Sequence, residues 1–198
     1  MFPGFLNWWN DWGESAKVTL YSYLESNYAQ TLEVTILLSQ VTLELIARVL
    51  LVEKEKIIDE NEFDARKTRT SDKLRKLLER LKIPLEIPTD KPAKSSLTLV
   101  ERLKPESPPL LPDLRELALR HQWEDGLHAL TTIRNDITHS KKKYDISFLE
   151  KSDTSDLGLW YLELVLLAIF DYQGCYHNRL PRYQHNGEIE PVPWSKNN

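Results

Sequence analysis

Apolar residues from Thr31 to about Lys56 wrap nearly the whole circumference of a helix, with a polar exception at Gln40, Glu44 and Arg48, spaced four apart. A helix apolar on all sides needs neighbours on all sides, so this segment is predicted as the central helix of a bundle. Leucines and tyrosines recurring among polar residues from Glu14 to about Tyr28 predict a helix before it. After it, Leu74, Leu77, Leu78 and Leu81 repeat at helical spacing behind Thr70, Ser71 and Asp72, whose side-chain oxygens suit a helix start; Pro84 and Pro88 end the run. A short helical piece is expected over Ser95–Leu103, then a proline cluster, and Asp113 opens another short helix. The segment from about Gln122 to His139 continues as a helix, Ser140–Ser152 reads as a polar lysine-rich loop, and Asp153 to about Gln173 as the last long helix. No segment alternates like a set of strands, so the class is all-α, a helical bundle with irregular amino- and carboxyl-terminal tails. The expected division is an aromatic arm over 1–13, the helical domain over 14–174 and an extended tail over 175–198.

With 198 residues and 41% hydrophobic content, the chain suffices for one well-buried core. Its single cysteine, Cys175, excludes an internal disulfide and a cysteine-only metal cage, which fits a reducing compartment. The first fifteen residues lack a basic region followed by an apolar stretch, and Glu33, Gln40, Glu44 and Arg48 interrupt the longest apolar run, so neither a secretory signal nor a membrane span is expected. Cytoplasmic placement is the expectation. A net charge of −4 argues against a general nucleic-acid coat protein, so any such site must be local. Two basic stretches qualify: Arg66 to Lys82, and Lys141, Lys142 and Lys143 directly after His139.

At about 100° per residue, Trp123, Leu127, Leu130, Ile133 and Ile137 share one arc and make the core face of their helix. His128, Asn135 and His139 project within about 40° of one another on the other side, at spacings of seven and four. Arg134 lies at the edge of the apolar arc, where its stem covers core while its guanidinium reaches outward or inward to a carboxylate.

Arg134-Asn135-x-x-x-His139 near the end of a helix, after a long Glu-bearing central helix, resembles the signature of HEPN domains. The resemblance covers roughly 21–172, and the order of elements is similar to the carboxyl-terminal HEPN domain of ApeA-type anti-phage proteins. It implies a bundle that dimerises so that two motifs meet in one cleft and cleave RNA, in prokaryotic defence or a toxin system, with no cofactor and no metal. The chemistry is compatible. Attack by the ribose 2′-OH needs a base, an acid for the leaving 5′-oxygen and positive charge on the phosphorane. Two copies of His139 supply base and acid, two copies of Arg134 hold phosphate oxygens as forks, and Asn135 donates to the phosphate or orients the imidazole. Lys141, Lys142, Lys143 and His128 are the accompanying RNA-binding candidates. RNA and a second copy are the expected partners, with a partner domain or antitoxin as a further one.

The bare spacing is unspecific. Arg115 to His121 and Arg179 to His185 also match a loose Arg-to-His pattern, but the first has Glu116 beside its arginine and the second spans Pro181. Other roles stand beside the catalytic one: Arg134 pairing with Glu44 or Glu33, His139 capping its helix end, His128 and Asp136 as solvated positions, and Glu44 pairing with Arg48. Lys141–Lys143 is either a solvated loop or a phosphate-steering patch, and Arg66–Lys82 is read as one wet helix face in preference to a nucleic-acid groove. Phe2, Phe5, Trp8, Trp9 and Trp12 either fold back onto the bundle, the reading adopted, or dock a partner. Ser140 stands where the HEPN family often has a proline or basic residue, and this keeps open a non-catalytic module for dimerisation and binding of RNA, a nucleotide or a partner protein.

Overall fold

The computed structural model describes residues 3–88, 110–139, 143–180 and 188–195. The short helix expected over Ser95–Leu103 lies outside them. Eight α-helices are present among the described residues: α1 (Pro3–Trp12), α2 (Glu14–Tyr28), α3 (Leu32–Arg48), α4 (Glu60–Asp64), α5 (Thr70–Arg80), α6 (Pro112–His121), α7 (Gly126–Thr138) and α8 (Phe148–Ile169). One π-helical stretch, Val49–Lys54, continues α3, and two short strands, β1 (Cys175–Asn178) and β2 (Glu188–Pro191), pair antiparallel. The fold is all-α.

Helix α3 is central, packing against α2, α5, α7 and α8. Ile36, Leu43, Ile46 and Ala47 are fully buried, and so is Gln40, whose amide donates to Glu44 Oε1 at 2.9 Å. The expected Glu44–Arg48 pair does not form: Arg48 instead forks onto Asp64 (2.7 Å) and Glu60 (2.5 Å) of α4, which the turn after α3 brings alongside. The stretch 32–54 is apolar and long enough to cross a membrane, with a mean hydropathy of 1.8 in an 18-residue window, and 56% of that window is buried among the other helices.

Helix α8 crosses α3 where Gly158 lies against Ser39; a Cβ on Gly158 would stand 2.5 Å from Ser39 Oγ. The helix begins five residues before Asp153, because Ser147 and Glu150 form a reciprocal capping box within the segment read as loop. Asp153 is therefore internal and fully buried. Its Oδ2 accepts from the backbone N–H groups of Asp113 (2.9 Å) and Leu114 (3.0 Å), capping α6, whose own preceding residue, Leu111, offers no cap. Thr70, Ser71 and Asp72 likewise do not precede α5; the helix starts at Thr70 with Arg69 before it and no side-chain cap.

The aromatic arm is a helix, and it folds back. Trp8 is buried, and Phe5 and Trp8 meet Phe170 edge-on at 5.3 and 5.1 Å. Past α8, Tyr176, Leu180 and Val192 of the tail are buried against the bundle, so the tail is a strap carrying a two-stranded pairing.

Candidate functional site

Helix α7 carries the Arg-Asn-x-x-x-His segment, and its frame is set at both ends. Asp125 caps the start, its Oδ1 accepting from the His128 N–H at 2.7 Å while Arg75 Nε holds Oδ2 at 2.8 Å. The helix begins at Gly126 and not at Gln122, because the chain first turns through a left-handed Gln122. Gly126 passes beneath the Tyr161 hydroxyl, where a Cβ has no room, and the Gly126 N–H and the Tyr161 hydroxyl both donate to Leu85 O, at 2.9 and 2.8 Å. Leu127, Leu130 and Ile133 are fully buried, as the apolar arc predicts.

On the opposite side, Asn135 and His139 are exposed and His128 is half-buried, so the expected strip exists. His139 is the residue that ends the helix: its N–H still bonds Asn135 O at 3.0 Å, while its own backbone turns extended. Arg134 is half-buried. Its Nη1 donates to Asn135 Oδ1 at 3.1 Å, which joins the two motif residues directly. Its Nε is enclosed without an acceptor among the described residues. The alternative role of Arg134, pairing with Glu33 or Glu44, is not formed among the described residues: Glu33 bonds Lys151 at 2.7 Å, and Glu44 accepts from Gln40.

Asp136 corrects the reading as a solvated position. It is 7% exposed, and its Oδ1 accepts the backbone N–H groups of Lys143 (2.6 Å) and Tyr144 (3.1 Å). The loop after the motif is thereby tied to the motif helix. Lys143 is exposed, with its ammonium 5.2 Å from the Tyr144 ring centroid; Lys141 and Lys142 lie outside the described residues. His128 has a local partner that its sequence position did not reveal: its Nδ1 accepts the Glu124 N–H at 3.3 Å.

Three of the eight cations of the other basic stretch, Arg66 to Lys82, are held in ion pairs among the described residues. Arg75 engages Asp72, Glu124 and Asp125, Lys76 meets Glu62 at 2.9 Å, and Arg80 meets Glu55 at 2.6 Å. These three are neutralised by neighbours, and the Lys73 ammonium lies over the Phe63 ring at 4.4 Å. Among the described residues no group of three or more His, Cys, Asp or Glu side chains is placed to hold a metal ion.

A family model for the YopA C-terminal domain matches residues 9–190. The chain belongs to that family. It is 28% identical over 198 residues to the SPbeta prophage-derived uncharacterized protein YopA of Bacillus subtilis (strain 168), an alignment that takes in 98% of this chain and 39% of that protein. The chain thus spans about two fifths of its relative's length. No solved structure matches it. The family match takes in α2 to α8 and so includes the whole of the candidate site.

Proposed function

We propose that this domain is a metal-independent endoribonuclease of the HEPN type, active as a homodimer in which two copies of Arg134, Asn135 and His139 share one RNA phosphate. The observation that carries the reading is the arrangement of Arg134, bonded through Nη1 to Asn135, and an exposed His139 one turn on, at the open end of α7. A guanidinium beside a phosphate spreads the charge of the phosphorane, and imidazole exchanges protons near neutral pH. The nucleophile is the substrate's own 2′-OH, so the enzyme contributes position, charge and proton transfer. Its place of action is the cytoplasm. The prophage origin of the relative supports a role in conflict between phage and host, as a defence or toxin component.

The test is cleavage. In EDTA the purified protein should cut single-stranded RNA to products ending in 2′,3′-cyclic phosphate and leave DNA of the same sequence intact. Intact RNA after incubation of a folded dimer with several substrates would overturn the proposal. Stoichiometric RNA binding without turnover would instead favour the non-catalytic module.

A further inference from the structure

A group of four rings lies at the corner between α6 and α7. Gln122 takes a left-handed conformation (φ 54°), the Trp123 N–H bonds back to Ala118 O at 2.9 Å and the Gln122 N–H to Leu119 O at 3.3 Å. This reversal, which closes the end of α6, folds Trp123 back over His121, their rings 5.6 Å apart and 26° from parallel. Tyr144 stands almost perpendicular to both, 4.8 Å from His121 and 5.7 Å from Trp123. His128 flanks Trp123 at 6.3 Å.

Three features separate this group from an ordinary apolar cluster. It reaches the surface, with His121 exposed and the other three rings partly buried, Trp123 packing its inner side on the core, whereas the Trp160–Tyr161 pair is buried within it. It also brings polar donors. The acceptor role of His128 Nδ1 assigns the proton of the neutral ring to Nε2, and Lys143 places an ammonium over Tyr144. Third, it is joined to the candidate site. His128 lies on the same exposed strip as Asn135 and His139, about 16 Å before His139 along the axis, and Tyr144 is fixed by Asp136 within the motif.

We propose that His121, Trp123 and Tyr144 form a stacking platform for an unpaired nucleobase of the RNA whose phosphate lies at His139, with His128 Nε2 and Lys143 contacting the same nucleotide or its phosphate. This rests on the ribonuclease reading and gives its preference for a single strand a structural cause. Flat rings accept any base face, and a duplex keeps its bases stacked away from them. The platform therefore selects strandedness and not sequence.

The experiment measures binding of a fluorescently labelled single-stranded RNA of about ten nucleotides to the 198-residue chain carrying His139→Ala, which prevents cutting. Adding Tyr144→Leu or His121→Ala should weaken binding about tenfold each with the melting temperature unchanged, and the same RNA annealed to its complement should bind weakly to all forms. Undiminished binding by both variants overturns the platform and leaves the ribonuclease reading standing. A loss that tracks a fall in melting temperature assigns the rings to the fold and overturns it too. Absence of RNA binding by a folded His139→Ala parent that also fails to cut when His139 is restored removes both readings together.

Discussion

Asp136 accepts the Lys143 backbone N–H at 2.6 Å, so a carboxylate in the middle of the motif holds the loop that follows it. Bonds of this kind to an ionised acceptor are stronger than neutral ones. Asp136→Ala should cost about 2 kcal/mol and speed hydrogen exchange at the Lys143 and Tyr144 amides, while Asp136→Asn, which keeps an acceptor, should retain most of the protection. Unchanged exchange in Asp136→Ala would show that the loop is held by other contacts.

Gly158 and Ser39 set how closely α8 approaches α3. In an open helix, Gly→Ala stabilises by about 1 kcal/mol. Here the added methyl meets Ser39 Oγ at 2.5 Å, and Gly158→Ala should destabilise by about 1–3 kcal/mol. The crowding atom identifies itself through a second change: Ser39→Ala combined with Gly158→Ala should be more stable than Gly158→Ala alone. Additive effects in urea unfolding would refute that contact.

Glycine is scarce, and the chain closes helices through left-handed residues of other types, among them Lys82 (φ 58°) and Gln122 (φ 54°). Lys82 is exposed, and the bonds around it, Ile83 N–H to Leu78 O and Lys82 N–H to Glu79 O, need only backbone. Lys82→Gly should raise stability by about 1 kcal/mol, seen as a higher melting temperature. A lower one would mean that the lysine side chain contributes more than its backbone costs.

Burial, followed by the charge of Glu163, pushes the Tyr23 hydroxyl up to about 12, and Tyr161 and Tyr176 are raised by burial as well. These groups keep their protons in the folded state at pH values where the unfolded chain loses them. Their contribution is thus complete below about pH 10, the ordinary tyrosine value, and is lost as pH rises from there through the folded values. The urea midpoint should fall between pH 10 and 12, and Tyr23→Phe should make that fall shallower. An equal fall in the variant would exclude Tyr23 as a source.

The periodic elements were legible in the sequence where local pattern and burial agree: α2 matches its expected span, α5 follows the leucine repeat and ends at Arg80, and the core face of α7 is the expected arc. What escaped is tertiary or hidden in polar composition. The capping box of Ser147 and Glu150 sits in a segment whose polarity reads as loop, and Asp153 looks like a helix start until its bonds to α6 are seen. Arg48 left Glu44 for carboxylates twelve and sixteen residues away. The strip of His128, Asn135 and His139 followed from helical period alone. The roles of Asp136 and Tyr144 did not, since they depend on where a loop returns, although an aspartate within the motif and an aromatic at the end of the lysine run were visible signals.

The role of His139 is tested by the cutting rate of one RNA in EDTA by the parent protein and by His139→Ala, with a matched oligonucleotide carrying a single 2′-deoxy sugar at the cut position. Ribonuclease action through His139 predicts cutting by the parent, none by a folded His139→Ala dimer, and none at the deoxy position by either. Cutting that survives the loss of His139, or that proceeds at the deoxy sugar, would contradict it.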